Sequence, residues 1–281
     1  MIKKSFIRGV FGEPFIGKKR RIRLYKEIAV SLSSKYQVDY VTYVFGEDNE
    51  KRLNDMGIKT TLIDKKNWVW DRKTELYRHK LEFYKIGMEE FDEIVYLDWD
   101  VLQTKPLPVD YWENLHKKEK IQGNSYWKRP LSCYWKRNGA HQLLINAGIL
   151  SLRDKDLSKL FIKKWEEMKI GNLLKTDQEK KFWQRWKVND EVIIQYVIDH
   201  EYCLVGKDKK TYMGEWLNRF EPDDSVLINK RAFKKEINDR TCFKHFTVHY
   251  GAYRYACQVI NNAVVDQLSQ KKHNDSIVMK K

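Results

Sequence analysis

Up to residue 97 the chain alternates short apolar runs with stretches of helical periodicity, and that alternation leaves few ways to bury the strands. Strands are predicted over Ser5 to Phe11, Val38 to Phe45, Lys59 to Ile63 and Glu93 to Leu97. Helices are predicted over Arg21 to Ser33, Asp48 to Met56 and Arg72 to Met88. The order β-α-β-α-β-α-β implies an α/β domain on a largely parallel sheet flanked by helices. Ligands of such sheets bind where strands end at their carboxyl termini, so chemistry is expected just after Phe11, Phe45 and Leu97. Further on, the pattern predicts a strand over Leu143 to Leu152, helices over Asp156 to Met168 and Asp190 to Asp199, and a last helix near Arg254 to Gln270. With 281 residues and no Pro- or Ser-rich linker, one compact domain over 1–265 with a basic, flexible tail over 266–281 is expected.

Charge narrows the partners. The chain carries 54 Lys and Arg against 39 Asp and Glu, a net +15, which suits nucleic acid, an acidic membrane or phosphorylated small molecules, and equally a Lys-rich solvated surface. Cys133, Cys203, Cys242 and Cys257 lack CxxC or zinc-ligand spacing, which predicts reduced thiols and no zinc site. No window approaches the roughly 18 apolar residues of a membrane span, so a soluble, cytoplasmic protein is expected. The tail KKHNDSIVMKK suits either a flexible terminus or peripheral contact with an anionic membrane.

The sharpest motif is EIVYLDWDVLQ at 93–103, where an apolar run ends in Asp98 and Asp100. Carboxylates beside a buried strand are unfavourable unless paired or bound to a cation. Past a strand end the chain can aim both at one hard divalent ion, Mn²⁺ or Mg²⁺, with phosphate oxygens completing its shell. Upstream, TELYRHKLEFYKIGM reads as an amphipathic helix. Leu76, Tyr77, Leu81, Phe83, Tyr84 and Met88 share an arc, with Glu75, Arg78, Glu82 and Lys85 opposite. Lys80 falls inside the apolar arc, at about 40° from Leu76, where it either snorkels out or meets an anion.

Three other segments carry candidate chemistry. In INAGILSLR, Asn146, Ala147 and Gly148 read as a bulge entering a strand, or as an amide and a close backbone approach for a ligand. Asp190 and Glu191 follow Asn189 at a helix start, where acids gain from the helix dipole. His245 and His249 share a face of FKHFTVHYGAYR if that segment is extended. Two YWKR loops, at 126–129 and 134–137, put cations beside aromatic faces suited to sugars, bases or phosphate.

The stretch FDEIVYLDWDVLQTKPLP, together with the later Asn-Ala-Gly, resembles GT-A fold glycosyltransferases with a glycogenin-like core, and the resemblance runs from the first strand to about residue 255. It implies a Rossmann-like mixed sheet, with 1–105 as the nucleotide-binding half and 106–265 as the acceptor and sugar half. By the same resemblance Asp98 and Asp100 hold Mn²⁺ or Mg²⁺ against the diphosphate of a nucleotide sugar, with Asp98 near the sugar and ribose. Lys80, with Arg78 as second choice, contacts the donor, and Asn146, Ala147 and Gly148 line the sugar pocket. Asp190 lies near the transferred sugar, with Glu191 the alternative general base. His249 is the third metal ligand, with His245 its rival, because the family's ending is not matched by HYGAYR. The implied activity is hexosyl transfer, UDP-hexose being the expected donor and a glycan or glycolipid hydroxyl the acceptor.

Two other classes fit less well. Haloacid-dehalogenase-type phosphatases also end an apolar strand in DxD, but they need Thr or Val two residues after the second Asp, and Leu102 stands there. A nucleic-acid binder would account for the charge, yet no helix-turn-helix, RNA-binding sheet signature or zinc module is evident. Nucleic acid is therefore not an expected partner.

Overall fold

A computed structural model describes residues 2–10, 28, 38–65, 77–99, 101–103, 106–116, 120–125, 145–169, 190–197 and 243–245. Asp100, His249, Asn189, all four cysteines, both YWKR loops, the last predicted helix and the 266–281 tail lie outside the described residues, as does the Arg21–Ser33 helix apart from a helical, buried Ile28.

The described elements follow the predicted alternation. In chain order they are β1 (Lys4–Val10), β2 (Tyr40–Phe45), α1 (Glu47–Asp55), β3 (Thr60–Asp64), α2 (Arg78–Glu90) and β4 (Glu93–Leu97). Then come β5 (Val101–Gln103), α3 (Tyr111–His116), β6 (Ile121–Ser125), β7 (Ile145–Leu152), α4 (Lys155–Lys169), α5 (Asp190–Val197) and β8 (Phe243–His245). A six-stranded sheet has the order β3-β2-β1-β4-β7-β6. Its first four strands are parallel, while β7 runs antiparallel to both β4 and β6. The result is a mixed α/β sheet flanked by helices.

Every residue of β4 is buried, as expected of a central strand covered on both faces. On one face Ile7, Tyr96 and Leu150 meet Phe83 and Tyr84 of α2, Phe161 and Trp165 of α4, and Ile193 of α5. On the other, Phe6, Val95 and Leu97 pack with Tyr111, Leu115 and Phe243. Gly9 is required by this packing, because a Cβ there would overlap the Phe83 ring. The start of α4 is set by Asp154, whose Oδ1 accepts the N–H groups of Asp156 and Leu157, both at 3.0 Å, a side-chain cap on donors the helix cannot satisfy itself.

The periodicity of α2 was less one-sided than expected. Arg78 and Glu82, placed opposite the apolar arc, are buried, and Tyr77, placed on it, is 41% exposed. α4 lies along α2 and covers that flank, and Arg78 bridges the two helices by pairing with Glu82 on its own helix and with Glu166 of α4 at 3.0 Å. An amphipathic plot assumes one buried face, whereas α2 is gripped by the sheet on one side and by α4 on another.

Candidate active site

The carboxyl end of β4 gathers residues from four elements. Lys80, on the first turn of α2, is 5% exposed and meets two anions rather than snorkelling. Its Nζ lies 3.0 Å from Asp98 Oδ2 and 3.1 Å from Asp190 Oδ2. It also sits over the Tyr96 ring, 4.8 Å from the centroid, so its charge is spread over two carboxylates and an aromatic face.

The electrostatics follow from that crowding. Burial is the largest influence on the Lys80 ammonium and pushes its pKa down, but Asp190, then Asp98, then the Tyr84 and Tyr96 phenols push it up, and the pKa ends well above the ordinary lysine value. Burial likewise raises the Asp190 carboxyl; Lys80 opposes that rise and Asp98 adds to it. The Tyr96 phenol is held well up by burial, then by Asp98, to which it also hydrogen-bonds. Asp98 is the most open of the cluster, with 28% of its side chain exposed. The site therefore pairs an ammonium whose charged form is favoured with one sheltered and one accessible acid.

The Asn-Ala-Gly segment joins the cluster through its backbone. Toward β6 the register runs Gly123↔Leu150 and then Asn124↔Asn146, so Ala147, Gly148 and Ile149 bulge out of that ladder. The bulge is the structural form foreseen for this segment, and it is pinned from three sides. The Asp98 N–H donates to the Gly148 carbonyl at 2.8 Å, the Ala147 N–H donates to Glu191 Oε1 at 3.0 Å, and the Tyr84 hydroxyl donates to the Ala147 carbonyl at 3.5 Å. Bulges re-aim the chain beside functional sites, and here one aligns β7 with the end of β4.

Of the residues singled out from sequence, Lys80, Asp98, Asp190, Glu191, Ala147 and Gly148 converge. Asn146 contributes a backbone position in register with Asn124. Arg78, two residues before Lys80 on α2, is instead engaged with Glu82 and Glu166. Asp100 and His249 fall outside the described residues, but β8 pairs antiparallel with β5 so that His245 stands opposite Val101. Among the described residues no three His, Cys, Asp or Glu side chains are close enough to hold a metal by themselves. Reading the sequence missed Tyr96, Trp99 and Arg8. The signal for Arg8 was present, a charge inside the apolar run of β1.

These features define the class, an α/β domain with a carboxylate and ammonium cluster at the carboxyl end of its mixed sheet. No known family and no curated protein matches the chain by sequence. Among solved structures it is similar to a glycosyltransferase involved in the glycosylation of the major capsid of PBCV-1, with a TM-score of 0.48, 10% identity, and coverage of 92% of this chain and 99% of that one. It is also similar to the glycosyltransferase GlyE of Streptococcus pneumoniae TIGR4. The apo form gives a TM-score of 0.41 at 14% identity, covering 94% of this chain and 64% of that one; a second structure gives 0.43 at 14%, covering 95% and 64%. Among the described residues no helix is long and apolar enough to cross a membrane.

Proposed function

We propose that this chain is a metal-dependent GT-A-type glycosyltransferase that moves a hexose from a nucleotide sugar, UDP-linked by expectation, to a hydroxyl of a glycan or glycolipid. The observation that carries this reading is Lys80 held between Asp98 and Asp190 where β4 ends. A fixed ammonium there suits a diphosphate leaving group, whose charge grows as the glycosidic bond breaks, and preorganised charge of that kind is a large contributor to catalysis.

The residues fit a hard divalent ion. Asp98 offers a partly exposed carboxylate, Asp100 follows two residues later in the chain, and carboxylate oxygens are what Mn²⁺ and Mg²⁺ prefer. Asp98, Asp100 and His249, or His245 in its place, would hold Mn²⁺ or Mg²⁺, which when bound supplies neutralising charge to the diphosphate. The pairing of β8 beside β5 supports a role for the His-bearing segment.

The chain's own groups divide the remaining work. Lys80 adds positive charge, and its raised pKa keeps it protonated throughout. Asp190, sheltered at the start of α5, faces the same space and is suited to orient a sugar or acceptor hydroxyl. Glu191 is turned to the Ala147 N–H, so it holds the sugar-pocket wall in place and Asp190 is the better partner for a reacting hydroxyl.

The test is a thermal-shift panel of nucleotides and nucleotide sugars, each with Mn²⁺ and with EDTA. A ligand bound only by the folded state at about a hundred times its Kd stabilises by about 2.7 kcal/mol. Stabilisation by one nucleotide family that disappears with EDTA is expected. No shift with any nucleotide would sink the proposal.

A further inference from the structure

The turn that leads from Asp98 to Val101 is braced from β1. The Val101 N–H donates to the Asp98 carbonyl at 3.1 Å, closing a tight turn. Trp99 points inward, 5% exposed, and its Nε1 donates to the Gly9 carbonyl at 3.0 Å. Arg8, the residue before Gly9, is also 5% exposed. Its guanidinium lies between two rings, 4.6 Å from the Tyr40 centroid and 4.8 Å from that of Trp99, and its Nη2 donates to the Val101 carbonyl at 3.4 Å. Arg8 therefore touches the residues on both sides of position 100.

Filling that space does not require a cation. Sequestering a guanidinium is unfavourable unless its surroundings compensate, and Met would fill a similar volume among Tyr40 and Trp99. What Met lacks is a planar group that can stack on Trp99 and donate to Val101 at once. We propose that Arg8 is a positioning residue that locks the Asp98–Val101 turn, holding Asp98 ready to take a divalent ion without rearrangement. The link to the ion rests on the glycosyltransferase reading; the locking of the turn does not.

The test uses the full chain with Arg8→Met and Arg8→Lys, and two readouts. Amide hydrogen exchange over residues 97–103 should quicken by about tenfold or more in Arg8→Met, as expected when a local brace is lost, while exchange in α4 stays as in the wild type. In the presence of UDP, Mn²⁺ affinity should fall by about 10- to 100-fold, the range for supporting groups around a metal site, with kcat at saturating metal nearly retained. Arg8→Lys, which keeps the charge but not the plane, should restore only part of either. Trp99→Phe removes the bond to Gly9 and should show the same signature at smaller size, with less burden on folding. Unchanged exchange in the 97–103 peptide would overturn the inference. So would unchanged Mn²⁺ affinity in Arg8→Met where the wild type binds the ion. A wild type that binds no Mn²⁺ with any nucleotide sinks the proposed function instead, and the exchange measurement then decides the role of Arg8 alone.

Discussion

Replacing Lys80 by Met removes the ammonium that Asp98 and Asp190 share while keeping most of the side chain's volume. Each carboxylate oxygen lies about 3 Å from Nζ, so without it the two acids face each other across at most about 6 Å, which at an effective dielectric of about 20 is a repulsion of at least about 2.8 kcal/mol. Breaking a buried pair by deleting one partner generally costs about 3–5 kcal/mol, and the two figures agree in size. Asp190 has a way out, because burial already raises its pKa despite the opposing effect of Lys80. In the variant it should take up a proton. A carboxyl whose folded pKa exceeds its unfolded value contributes stability that is fully present below the unfolded pKa and is lost as pH rises through the folded one. The deficit of Lys80→Met should therefore be largest at pH 8 and shrink toward pH 5, with a slope of at most about 1.4 kcal/mol per pH unit for one proton. Urea denaturation of both proteins across pH 5 to 8 reads this directly. A deficit that does not vary with pH, or one below about 1 kcal/mol at pH 8, would refute the claim that Lys80 exists to balance these two acids.

Gly9→Ala should destabilise by about 1–3 kcal/mol through overpacking, since its Cβ would enter the Phe83 ring; combining it with Phe83→Leu should return much of the loss in a denaturation midpoint. Glu191→Ala strands the buried Ala147 N–H and should cost about 1–3 kcal/mol, whereas Glu191→Gln keeps an acceptor oxygen, so near-wild-type stability and turnover are expected. If Glu191→Gln instead abolishes turnover with the fold intact, Glu191 is the reacting base. Asp98→Asn should remove Mn²⁺-dependent nucleotide stabilisation in thermal shift while leaving the unliganded melting temperature within a few degrees, because the carboxylate is partly exposed and Asp190 still holds Lys80.

The strands were legible because their signal is local. β4 has the predicted bounds, Glu93–Leu97, and β1, β2 and β3 begin and end within one or two residues of the apolar runs that announced them. Lys80 was legible for a related reason, since a lysine on an apolar arc has few stable partners, and an anion was one of the two it could have. The burial of Arg78 and Glu82 was not legible, because it goes with the bridge from Arg78 to Glu166 of α4, which lies some seventy-five residues further along the chain. The short strands β5 and β8 were missed because three residues carry no periodicity, and each is a strand only through the other.

The sequence by itself determined the α/β alternation, the strand that ends in two acids and the lysine that must answer to a charge, all of which follow from the burial preference of one element at a time. Only the tertiary structure decided that Asp190, ninety-two residues beyond Asp98, would share that lysine, that Glu191 would pin the bulge at Ala147, and that Arg8 would brace the turn from β1. Those contacts join residues distant in the chain, and their energies exist only once the sheet order β1-β4-β7 brings the strand ends together.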